Sequence, residues 1–247
     1  MTRPNLSLVA LHLGGNALLL WLGYYWLGTG ESRTLTLLWS FAVALLLVCL
    51  TCLLHGATFV FVGQSSGLST AFRTALRNLL PILVAAFAVL AVYLLLSRWA
   101  DYSSQPAFKI ASWLTLKLRK PVKPSTILRI FNVVTWLFRW VILPLPLLPM
   151  ISGVASKGWR GFTHFGKLSG KRLYWLQAPV LLLCSFWLPL RLIGWVPQAG
   201  SFVMEILSFA ARLLFAYLLF VASWLLLAFL TSAGKPVLSH SRTVVSP

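Results

Sequence analysis

The chain has 247 residues, of which 59% are hydrophobic and only 10% charged, and its mean hydropathy is +0.87. A soluble domain could carry this composition only by exposing large apolar patches, so a water-soluble globular fold is excluded. Lys and Arg total 21 against three acids; with no RNA- or DNA-binding module visible, these cations point to lipid head groups and not to nucleic acid.

Apolar runs longer than about 18 residues recur along the chain, as membrane-spanning helices require. Runs such as "FAVALLLVCL" and "PVLLLCSFWLPL" do not alternate in polarity, which argues against a transmembrane β-barrel. The expected class is an all-α polytopic membrane protein, one transmembrane helical domain over 1–247.

The first predicted span, 7–28, follows a basic start and ends in Tyr24, Tyr25 and Trp26. Its core is too long for a cleavable signal, and the aromatic end reads as an interfacial anchor, so it is expected to be a retained helix. The tight "GTGESR" loop pairs it with the second span, 35–62. A basic linker with Arg73 and Arg77 leads to the third span, 79–98.

Residues 107–124 break the pattern. On a helix, Lys109, Ser112, Lys117, Arg119 and Lys120 share a broad face, with Ile110, Ala111, Leu114 and Leu118 opposite. This predicts an interfacial amphipathic helix ended by the proline elbow "KPVKP". Lys109, Lys117, Arg119, Lys120, Lys123 and Arg129 are the candidate lipid head-group contacts. The next helix places Ser125, Arg129, Asn132 and Arg139 on one stripe.

A fourth span is expected over 131–155, then a basic linker with Lys157, Arg160, Lys167, Lys171 and Arg172. The fifth and sixth spans, 173–196 and 203–231, join through "VPQAGS", and 235–247 reads as a flexible polar tail. Both basic linkers run from a Gly/Ser turn into a span, a weak internal repeat. Pro144, Pro146 and Pro149 leave open a five-span alternative with a re-entrant segment. Six spans are favoured because both linkers then share one face, the cytoplasmic one by the positive-inside rule.

The acids are Glu31, Asp101 and Glu205, and no paired carboxylates, phosphate-cradling glycine loop or Ser/His/Asp set accompanies them. An enzyme is therefore not expected. Arg191 and Glu205 fall at similar depths across the last turn, and Arg212 lies two helical turns beyond Glu205 on nearly the same face; an ion pair locking two helices is expected there, with an anion site as the alternative. His12 and His55 also match in depth, with Cys52 one turn from His55, and are the candidates for a metal or haem; Cys49 and Cys52 alone are too few for zinc, and no cofactor is expected. The three cysteines lie in apolar runs and imply no disulfide framework.

These features lead to an expectation of a non-enzymatic accessory or scaffold subunit in a bacterial inner membrane. Its basic interfacial elements would engage anionic lipid or a membrane-protein partner. The alternatives are a transporter or lipid-translocating protein for an anionic substrate and, third, a haem-bearing electron carrier.

Overall fold

The computed structural model describes residues 6–30, 33–64, 67–163, 172–197 and 201–232. Glu31, Lys167, Lys171 and the 235–247 tail lie outside them. Among the described residues the chain is helical without strands: α1 (Leu6–Leu27), α2 (Thr34–Gln64), α3 (Leu68–Arg77), α4 (Leu79–Tyr102), α5 (Ser104–Leu118), α6 (Pro124–Leu137), α7 (Pro144–Lys157), α8 (Arg172–Leu182), α9 (Leu188–Gly194) and α10 (Phe202–Ser232). Six helical stretches are long and apolar enough to cross a membrane, and they coincide with the six predicted spans. This is an all-α polytopic membrane protein.

The fourth span is a continuous 40-residue helical stretch, Pro124–Thr163, in place of a re-entrant loop. The first of its mid-span prolines, Pro144, is accommodated by a π-turn, Phe138–Ile142, in which the Leu143 N–H bonds the Phe138 carbonyl. Pro144 follows directly. The fifth span repeats the device with a π-turn at Leu183–Trp187 followed by Leu188 and Pro189. A proline lacks the N–H and crowds the carbonyl one turn back, so a widened turn before it relieves the clash. Trp136 and Trp187 meet edge to face, ring centroids 5.6 Å apart, and join the two elements.

Carbonyls left without helical donors find side chains. Tyr93 of α4 donates to the Arg139 carbonyl at 2.7 Å. Tyr174, fully buried, donates at 2.6 Å to the Leu145 carbonyl, which Pro149 cannot serve. These bonds satisfy oxygens that would otherwise destabilise a helix inside a membrane.

The described parts of the two basic linkers meet at one end of the bundle. Asn78, between α3 and α4, donates to the Ala155 carbonyl in the last turn of α7 at 2.9 Å. Gly158 then ends α7 at φ +61°, and a side chain there would meet the Asn78 amide. Gly161 brings the following 3₁₀ turn so close to α7 that any Cβ would overlap the Val154 backbone. The main core lies at this end: Phe59 and Val60 of α2, Ala71 of α3, Ile82 and Ala85 of α4, Leu148 and Val154 of α7, Tyr174 of α8 and Trp224 and Leu227 of α10. At the other end α1, α2, α4 and α10 expose large side chains such as Leu20, Leu38, Leu95 and Leu207, a surface suited to acyl chains.

Candidate functional site

The basic tract builds a helical hairpin from α5, the proline elbow and α6. α5 starts at Ser104, folds back on α6, and packs Ala107 and Ala111 against Ile127, with Leu114, Val122, Leu128 and Phe131 around them. Small residues on α5 let the two backbones approach. The elbow is set by Arg119, which adopts left-handed φ of 50° at the end of α5, and by Thr115, whose hydroxyl accepts the Val122 N–H at 2.9 Å.

The stripe toward α6 is Ala107 and Ala111, with Leu114 beside it, while Ile110 and Leu118 of the expected apolar face are exposed together with Phe108, Trp113 and Leu116. The physical reason is steric: a second helix can sit closer on an alanine stripe than on bulky side chains. Lys109, Lys117, Arg119, Lys120, Lys123 and Arg129 are all exposed. The Lys117 ammonium lies 4.9 Å from the Trp113 ring centroid, so cation and aromatic share one patch, as at head-group depth.

The last turn departs from the expected ion pair. Arg212 donates through Nη1 to the Leu192 carbonyl at 3.2 Å and through Nε to the Ser208 carbonyl at 3.1 Å. Its guanidinium also faces Trp195 and Phe209 at about 6 Å. Leu192 lies in the final turn of α9, where carbonyls lack helical donors and a cation is favoured by the helix dipole. Arg212 therefore caps α9 across the hairpin. Glu205 and Arg191 are exposed, and among the described residues neither forms an ion pair. Glu205 sits in the first turn of α10, where a negative charge suits the helix N-terminus.

His12 and His55 do come together, with ring centroids 5.6 Å apart. However, His12 is committed. Thr58 donates its hydroxyl to the Leu54 carbonyl at 2.8 Å, so its 2.6 Å contact with His12 Nε2 must be donated by the histidine. His12 Nδ1 is left to accept from Asn16 at 3.2 Å. This is a neutral imidazole with both nitrogens engaged, and it offers iron no lone pair. His55 packs edge to face on Trp224 at 4.9 Å. No group of three or more His, Cys, Asp or Glu gathers into a metal site among the described residues. A Cβ added at Gly15 would come within 3.0 Å of the Leu54 side chain of α2, so glycine there keeps α1 and α2 close.

One residue was placed on a stripe by the sequence without being marked as a site. Arg139 sits in the first π-turn, half-buried, and donates through Nη2 to the Ser97 hydroxyl of α4 at 2.8 Å. Its Nε is buried without a hydrogen-bond partner. An arginine inside a predicted span was the available signal.

No family model, curated protein or solved structure matches this chain.

Proposed function

We propose that the protein is a non-enzymatic accessory or scaffold subunit of a bacterial inner membrane, whose α5–α6 hairpin engages anionic lipid. The observation that carries this reading is the hairpin's surface. Six exposed cations, Lys109, Lys117, Arg119, Lys120, Lys123 and Arg129, are interleaved with exposed Phe108, Trp113 and Leu116, and no acid lies between Ser104 and Leu137. Apolar side chains enter the head-group layer while the cations remain among phosphates. Each cation near an anionic surface contributes about 1 kcal/mol.

An acidic partner protein could meet the same patch, but exposed aromatics and leucines on the same outward surface favour lipid. Transport of an anion through Arg191, Glu205 and Arg212 has less support, because Arg212 already holds two carbonyls and two aromatic rings.

The test is native mass spectrometry with phosphatidylglycerol and phosphatidylcholine of matched chains. Wild type should retain the anionic lipid preferentially. The Lys117→Gln/Arg119→Gln/Lys120→Gln/Lys123→Gln variant should lose that preference. An unchanged preference would contradict the proposal, and restored selectivity for an acidic peptide instead would move the patch to a protein partner.

A further inference from the structure

We propose that Arg139 holds the phosphate diester of a single phospholipid at the base of the hairpin. The inference rests on the head-group reading of the hairpin but concerns different chemistry, since a diester phosphate is present whatever the lipid's net charge.

The contrast with Arg212 carries the inference. Both arginines are half-buried on membrane-spanning elements. Arg212 finds two backbone carbonyls and two aromatic faces within the fold. Arg139 finds one neutral hydroxyl, that of Ser97, and its Nε has no partner. Its own carbonyl is already taken by Tyr93. Among the described residues Arg139 forms no ion pair. Asp101, one turn beyond Ser97 on α4, is exposed and unpaired with it. A guanidinium at such a depth requires an anion or water.

Position selects the anion. Ser97 ends the uncharged part of α4, and the next two residues, Arg98 and Trp99, are exposed, the cation and aromatic of an interface. Trp99 lies against Phe131 of α6, ring centroids 6.3 Å apart, which sets both helices at this depth. Exposed Arg129 and Asn132 lie on the α6 stripe that leads to Arg139. Lipid phosphate is the abundant anion there, and a planar guanidinium fork matches its oxygens.

The experiment uses the full chain in detergent with three probes: dihexanoyl phosphatidylcholine, dihexanoylglycerol and inorganic phosphate. Thermal shift and native mass spectrometry read binding. Phosphatidylcholine should stabilise the wild type and survive as one adduct, while the phosphorus-free lipid and free phosphate should not. Arg139→Gln should weaken phosphatidylcholine binding by roughly tenfold to a hundredfold, the scale of one charge-assisted bond. The four-site Gln hairpin variant should keep this adduct while losing its anionic preference, so failure of either reading is visible separately. Should Arg139→Gln not fold, Arg139→Lys keeps the charge and loses the fork, and weaker phosphatidylcholine binding is again expected. Equal stabilisation by dihexanoylglycerol, equal binding of free phosphate, or an adduct that persists undiminished in Arg139→Gln would each overturn the assignment.

Discussion

The hydroxyl of Tyr174 on α8 donates to the carbonyl of Leu145 on α7, the one oxygen in that turn that Pro149 leaves without a helical donor. A proline in one span is thus made tolerable by a tyrosine from the next. Tyr174→Phe should lower stability by about 0.6–2 kcal/mol, the range for one such bond. Pro149→Ala restores an N–H to the same oxygen. The double substitution should therefore cost less than the sum of the two, as read by thermal unfolding in detergent. Strict additivity would show that the two residues are not coupled.

Arg212 and Glu205 give opposite expectations in the sequence and in the structure. If the arginine caps α9, Arg212→Met should destabilise the last hairpin, while Glu205→Gln should stay within about 0.5 kcal/mol of wild type. Arg212→Lys, a point charge without the fork, should fall between. A large loss in Glu205→Gln, rescued by Arg212→Met, would restore the ion pair.

The arrangement of the linkers predicts their exposure. Single cysteines at Ser69, Lys157 and Ser125, all exposed, can be labelled from either side once Cys49, Cys52 and Cys184 are replaced. Ser69 and Lys157 should react from one side and Ser125 from the other. A common side for Ser125 and Lys157 would return the fourth span to the membrane surface.

The spans were legible because each is dominated by apolar residues with few charges and is bounded by cations or turns, a property that survives without knowledge of neighbours. The hairpin elbow was legible too, since Pro121 and Pro124 dictate where a helix must stop. The partner of Arg212 was not. Any residue can offer a carbonyl, and only the ending of α9 at Gly194 leaves the Leu192 oxygen free. The contact face of α5 was half legible: Ala111 and Leu114 lay on the recognised apolar face, whereas Ala107 gave too little hydrophobic signal to be marked. Arg139 lay on a recognised stripe, yet its position depends on a π-turn: Pro144 signals a disturbed helix but not the form the disturbance takes.

The most direct test of the lipid-engaging hairpin is the association of spin-labelled phosphatidylglycerol relative to phosphatidylcholine in reconstituted bilayers, measured at low and at 1 M salt. The predicted result is a clear preference for the anionic lipid at low salt. It should collapse at high salt, where the Debye length shrinks to about 3 Å, and should be absent in the four-site Gln variant. A preference of the same size at both salt concentrations and in that variant would contradict the account.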